Sequence, residues 1–285
     1  MPLGIFHYQL LHRVLERIHL ISDERDMAEE VLKDMAASLA AEGGAIFKVS
    51  PNGKIGVLAS FGTSREALER ISFEVGKGVV GWVAEHGESL KVDDPARDQR
   101  FQGEADAAVG FKTRNVVAAP IVAKDRIVGV IEFLNRTSGT FYAHDLEIVA
   151  VVGRELGVAF DNVRLIRFLE ASKTFQDAIV DSLPACLIVD QNARLLRANP
   201  AAERLLNVDL QRGAQAPPKI DDVLKAFPPI LAAAREMLVL DDPLPQRDAR
   251  LLVEGVEKTV KVSCAPIVDR RGKRWGSLVL LHEAS

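Results

Sequence analysis

Cysteine is scarce: 285 residues hold only Cys186 and Cys264, each inside a strand-like apolar run. That excludes a disulfide framework and a four-cysteine zinc or iron–sulfur site built from this chain alone, and leaves two thiols expected in the interior. Long apolar runs are missing as well, since none approaches the ~18 residues a membrane helix needs. The early stretch "LLHRVLERIHLI" is broken by Arg13, Glu16, Arg17 and His19. It does not read as a secretory leader, so a cytoplasmic location without a membrane span is expected. A net charge of −4 gives no basic field to attract nucleic acid. The one basic knot, "DRRGKRW" at 269–275, surrounds a Gly and reads as a solvated hairpin turn.

Reactive constellations are missing too. The histidines (7, 12, 19, 86, 144, 282) form no H-E-x-x-H pair, and no nucleophile with a base, paired carboxylates or metal set is visible. The chain as given is therefore not expected to be an enzyme. Gly76, Gly78 and Gly81 do spell G-x-G-x-x-G, with Asp93 and Asp94 beyond them. The helix that follows covers only about 79–86, and its neighbours are antiparallel hairpins, where a dinucleotide fold needs a parallel crossover. These glycines read instead as a tight turn into a short helix.

What is present is ordinary globular material, 48% hydrophobic and 27% charged, long enough for two domains. Helical patterns lead, the first with Ile5, Tyr8, Leu11, Leu15 and Ile18, the second in "DMAEEVLKDMAASLAAE". The period then changes to that of strands. "GAIFKVS" and "KIGVLASFG" flank Pro51-Asn52-Gly53, and "RNVVAAPIVA" and "RIVGVIEFLN" flank Lys124-Asp125, as in antiparallel hairpins. From Ala143 to Leu183 helical periodicity runs without a proline for about 40 residues, ~60 Å of helix. Within it Leu165, Leu169, Ser172, Gln176, Ile179 and Leu183 alternate spacings of four and three, a heptad seam with a polar middle that predicts a self-pairing connector. After Pro184 come "CLIVD", "LLRAN", the helical "PAAERLL", helical residues near 220–240 and three strand-like runs, a second α+β domain.

"VGKGVVGWVAEHGESLKVDDPARDQRF", "AAPIVAKDRIVGVIEFLNR" and "FYAHDLEIVAVVGRELGVAFDNVRL" together resemble the successive landmarks of a GAF domain. "AIVDSLPACLIVDQNARLLRANPAAERLL" resembles the opening of a PAS domain, with the final hairpins as its closing strands. The resemblance implies an α+β chain of two antiparallel-sheet sensory domains: an N-terminal helix over 1–22, GAF over 23–165, a connecting and dimerising helix over 143–183, and PAS over 184–285.

The resemblance also implies a function. It is that of a cytoplasmic sensory and dimerisation module that reads a small-molecule or redox signal and relays it along the helix to an output domain, with a two-component sensor histidine kinase as expected parent. The alternatives are the regulatory region of a transcriptional activator or diguanylate cyclase, and a ligand-free assembly module with filled pockets. The expected partners are a second copy of the chain, an output domain in cis and a small ligand.

For that ligand, family position selects Val80, Trp82, Val83, Asp93, Asp98 and Phe101, with Val116 and Val117 as floor. The stretch "NRTSGTFYAHD" follows the Asn-Lys…Phe-x-x-x-Asp-Glu pattern of cyclic-nucleotide-binding GAF domains through Asn135, Arg136, Phe141 and Asp145, with Arg replacing Lys and Leu146 at the Glu position. These four are expected to tie the last strand to the helix, because a guanidinium pairs with a carboxylate that the helix dipole already favours. Leu165, Leu169, Ile179 and Leu183 are the expected dimer contacts. No cofactor is evident: with no Cys in the GAF region a covalent bilin is disfavoured, as are a histidine-ligated PAS haem, a covalent flavin and an iron–sulfur cluster.

Overall fold

The computed structural model describes residues 12–16, 18, 21, 23–101, 106, 110–207, 216–240 and 242–283. It divides into two compact units, 1–169 and 170–285. Most of the helix expected over 1–22 lies outside the described residues; within them residues 12–16 are helical, and Val14 and Ile18 are buried. Among the described residues no helix is long and apolar enough to cross a membrane.

In the first unit, helix α1 (Glu24–Leu39) begins where the Asp23 carboxylate accepts the Arg25 and Asp26 backbone N–H groups at 2.8 and 3.3 Å. Its apolar residues recur every three or four positions, so Met27, Val31, Met35 and Leu39 share one buried face. Next come β1 (Ala41–Val49), β2 (Lys54–Phe61), the short α2 (Arg65–Leu68), β3 (Phe73–Glu74), α3 (Gly78–His86), β4 (Leu90–Val92), β5 (Val116–Ala123) and β6 (Arg126–Arg136). The strands form one antiparallel sheet in the order β3-β2-β1-β6-β5-β4. Lys124 and Asp125, at φ +46° and +61°, make the two-residue turn between β5 and β6, the left-handed pair that suits the twist of a tight hairpin.

Strand alternation gives the sheet two different faces. Ile46, Val117, Ala119, Ile131 and Phe133 join the core with α1 and α4 (Ala143–Ser182). Ala45, Phe47, Val116, Ala118 and Val130 join the core with α3. Helix α4 rests directly on strand backbone: a Cβ on Gly157 would lie 2.0 Å from the Val122 carbonyl oxygen, and one on Gly153 2.6 Å from that of Pro120. The buried residues of α4 end at Val163. Beyond it Leu165, Ile166, Leu169 and Ile179 are exposed, and Phe168 and Phe175 are each 68% exposed. Leu183 falls outside the exposed face, because the helix ends at Ser182 and the Leu183 side chain is half-buried.

The second unit contains β7 (Ala185–Asp190), β8 (Leu195–Ala198), α5 (Pro200–Leu206), α6 (Ile220–Val223), α7 (Pro228–Val239), β9 (Leu244–Val253), β10 (Val256–Val268) and β11 (Arg274–Glu283). Its strands form an antiparallel sheet in the order β8-β7-β11-β10-β9, covered by α7 through Ile230, Ala234 and Met237. Asn199, fully buried, holds the start of this unit together. Its Nδ2 donates towards the carbonyls of Val180, Leu183 and Pro184 at 3.1, 3.0 and 2.9 Å, while its Oδ1 accepts the Cys186 and Ala202 backbone N–H groups, each at 2.9 Å. The expected α+β architecture of two antiparallel sheets with a long helix between them in the chain is the one observed.

Candidate functional site

The face of the first sheet turned towards α3 borders a partly open cavity of about 260 Å3. Small residues make the room. Glu132 on the central strand β6 pairs across the sheet with Ala45 on β1 and Ala118 on β5, so nothing bulky stands beside its carboxyl. Phe73, Phe101 and Phe111 line the space together with Leu68, Ile71, Val79, Val80, Val116 and Leu134. Gly43 leaves the opening into which Phe111 fits, since a Cβ there would stand 3.2 Å from the Phe111 ring.

Charge in the cavity is mostly acidic. Asp106 is fixed by Thr113, whose backbone N–H and Oγ1–H donate to its carboxylate at 2.7 and 2.6 Å. Glu74 and Lys77 pair with each other at 2.6 Å. Among the described residues, nothing hydrogen-bonds the Glu132 carboxyl. Burial, with the nearby Asp106 charge adding to it, pushes Glu132 up to about 8. It therefore stands largely neutral at pH 7, poised to ionise if a positive charge enters.

The residues selected from the sequence divide. Val80, Phe101 and Val116 line this cavity; Trp82, Val83, Asp93, Asp98 and Val117 do not. Val117 is one position out of phase with Val116 on the strand, so it packs on the opposite face. Trp82 stacks on His86 with ring centroids 4.4 Å apart, and Arg100 lies over the Trp82 ring at 5.0 Å. Asp98 is engaged by Arg100, at 2.7 Å through Nη2 and 2.9 Å through Nε, which holds its carboxyl below the usual range. Asp93 pairs with Lys91. Sequence reading missed Glu132, Asp106 and Phe111. The available signal was a single acid inside the apolar strand run "VIEFL".

The junction of β6 with α4 brings its four residues together. Arg136 Nη1 donates to Asp145 Oδ2 at 2.6 Å, and the Tyr142 backbone N–H donates to the same oxygen at 2.7 Å. The Arg136 guanidinium also lies 4.2 Å from the centroid of the Tyr142 ring. Phe141 is buried in the core beneath. Asn135, at φ +56°, accepts the Arg114 N–H at 2.7 Å and donates to the Lys112 carbonyl at 2.9 Å. Asn115, not singled out from the sequence, accepts the Arg136 N–H at 2.9 Å and donates to the Gly139 carbonyl at 3.2 Å. Every one of these bonds is internal to the fold.

The glycines of the G-x-G-x-x-G stretch also have structural roles. Gly76 and Gly78 take φ of +83° and +67° at the entry to α3, and a Cβ on Gly81 would stand 2.1 Å from the Glu74 carbonyl oxygen. In the second unit Cys186 and Cys264 are buried and unpaired; burial raises both thiols, Cys264 to about 11, so both stay protonated at neutral pH. Among the described residues no group of three or more His, Cys, Asp or Glu could hold a metal ion.

A six-stranded antiparallel sheet with long helices on one face and a cavity on the other, followed by a five-stranded α+β unit, defines a pair of sensory-type domains. Residues 23–160 match the family model of the GAF domain, and residues 180–285 that of the PAS fold. The chain thus carries a GAF domain followed by a PAS-fold domain. The GAF region is similar to that of the dual 3',5'-cyclic-AMP and -GMP phosphodiesterase 11A of Takifugu rubripes, 36% identical over 93 residues, 32% of this chain and 10% of the relative. It is also similar to a probable 3',5'-cyclic phosphodiesterase of Caenorhabditis elegans, 28% identical over 100 residues, 35% of this chain and 14% of the relative. The chain thus spans only a small part of these enzymes. Among solved structures, the GAF domain of a phosphoenolpyruvate-protein phosphotransferase from Coxiella burnetii covers 56% of this chain and 95% of its own length at 14% identity, with a TM-score of 0.52. Its counterpart from Acinetobacter covers 57% and 98% at 16% identity, with a TM-score of 0.51. That likeness is one of fold.

Proposed function

We propose that the chain is the sensory and dimerisation part of a signal-transduction protein, in which a small molecule or redox signal is read in the GAF cavity and passed along α4 to an output domain. The observation that carries this reading is the cavity of about 260 Å3 lined by an unpartnered carboxyl. A core packed for support alone leaves few voids larger than a water molecule. The parent we favour is a cytoplasmic sensor histidine kinase of a two-component system, with a transcriptional activator or diguanylate cyclase as the alternative.

The exposed part of α4 supports pairing with a second copy. Leu165, Phe168, Ser172, Phe175 and Ile179 follow one another at spacings of three and four, and four of the five are large exposed apolar groups. An identical stripe on a second copy would cover them as a coiled-coil seam, whose packing has discrete alternatives that a signal can select. Light scattering on the full chain at tens of micromolar should give a dimer, and a variant carrying both Phe168→Glu and Phe175→Glu a folded monomer. A thermal-shift screen with cyclic nucleotides, flavin, amines and organic acids accompanies it, since a ligand at 100 times its Kd stabilises by about 2.7 kcal/mol. A monomeric wild-type chain that no probe stabilises would overturn the reading.

A further inference from the structure

Glu132 is half-buried and faces the cavity with no hydrogen-bond donor beside it among the described residues. It sits on the middle strand of the sheet, where Ala45 and Ala118 replace the donors that could satisfy it. A carboxyl half-buried in a mostly apolar wall, with no donor beside it, is held short of the full hydration its charge would have in water. The other charged groups lining the cavity are Asp106, Glu74 and Lys77, and the Lys77 ammonium is engaged by Glu74. The neighbouring strands present no charge beside Glu132, and α3 contributes Val79 and Val80. An anion entering here would face the Asp106 carboxylate and would hold Glu132 in its protonated form. A cation would meet a carboxyl with no other partner, and the rings of Phe73, Phe101 and Phe111 lie in the same wall to take an apolar body or the face of a quaternary ammonium. The volume of about 260 Å3 lies just below the ~300–1,000 Å3 of pockets for drug-sized ligands, which sets the scale at a metabolite.

We propose that the GAF cavity binds a small organic cation, an amine or quaternary ammonium with a compact apolar body, whose positive charge is received by Glu132 with Asp106 beside it. This rests on the reading of the cavity as the sensing site and names the class of molecule sensed. A cyclic nucleotide, with its phosphate anion, does not fit such a lining. Binding a fixed positive charge favours ionised Glu132, which in the empty protein titrates near 8. Binding below that pH must therefore release a proton. The affinity for a quaternary ammonium should rise about tenfold per pH unit up to about 8 and then level off.

The test is calorimetric titration of the full chain at pH 6, 7, 8 and 9. The probes are choline, phenethylammonium, the neutral choline isostere dimethylbutanol, and cyclic AMP. We expect at least one cation to bind, choline to exceed dimethylbutanol by about tenfold or more at pH 9, and cyclic AMP not to bind. Glu132→Gln, with its folding checked by circular dichroism, should abolish the pH dependence and bring choline down to the level of dimethylbutanol. The wild-type pH profile carries the same test should that variant fail to fold. Cyclic AMP or dimethylbutanol binding with no preference for cations would overturn the cation assignment while leaving the cavity a ligand site. Binding of no probe at any pH would count against both.

Discussion

Arg136 and Asp145 meet through a 2.6 Å hydrogen bond, and the same carboxylate oxygen takes the Tyr142 backbone N–H at 2.7 Å. Asp145 is buried, so both bonds form largely out of water and neither donor has an easy substitute. Asp145→Ala should destabilise the GAF unit by about 2–4 kcal/mol. Asp145→Asn, which keeps an acceptor for Tyr142, should cost less. Urea unfolding followed by a GAF-specific probe measures both, and an unchanged midpoint for the alanine variant would show the tie to be idle.

Glu132 gives a stability signature that reverses the usual behaviour of acids. Its folded value near 8 stands above the ordinary 4.5. Between those values the folded protein holds a proton that the unfolded chain has lost, so stability falls as pH rises through that window and the loss is complete above about 8. Glu132→Gln should therefore match wild type near pH 5 and exceed it at pH 9 by a few kcal/mol at most, the cavity lining moderating the full effect of about 1.4 kcal/mol per unit. Thermal melts at pH 5, 7 and 9 decide it; parallel curves for the two proteins would contradict the assignment.

Asn199 serves three carbonyls and two backbone N–H groups from one side chain. Asn199→Ala should cost more than about 3 kcal/mol in the PAS unit, through buried groups left unpaired. Asn199→Asp should be at least as harmful, because it turns an oxygen towards the Val180, Leu183 and Pro184 carbonyls. Retention of a wild-type melting transition by the aspartate variant would refute this.

Much of this architecture was legible from spacing. The positive-φ turn at Lys124-Asp125, the α4 span and the helix over 200–206 follow from apolar periodicity and turn chemistry, which are local properties. The cavity was not local. Its volume arises because Ala45 and Ala118, distant in sequence, flank Glu132 across two strand pairings. Position along the chain could place Val116 near the cavity but could not separate it from Val117, because which parity faces α3 is fixed by packing on both sides of the sheet. Family position selects Asp93 and Asp98, and their pairing with Lys91 and Arg100 is visible only as side-chain geometry. On α4 the structure adds Phe168 and Phe175 to the exposed apolar residues Leu165, Leu169 and Ile179 that the sequence singles out.

Gly157 meets the carbonyl oxygen of Val122 with no room for a methyl group. Gly157→Ala should force α4 off β5 and destabilise the GAF unit by about 1–3 kcal/mol or more. Gly153→Ala, with its 2.6 Å approach to Pro120, should act in the same direction but less severely. Equilibrium unfolding of the two variants checks the order, and a neutral Gly157→Ala would show that the helix can yield.

Where a helix and a strand are separated by side chains, rotamer changes can take up a displacement of a few tenths of an ångström. At Gly153 and Gly157 no such cushion exists, for main chain bears on main chain. Strand β5, whose Val116 lines the cavity, is therefore mechanically coupled to α4 as a rod to a rail. A change in strand position too small to repack a core would still displace the helix as a body.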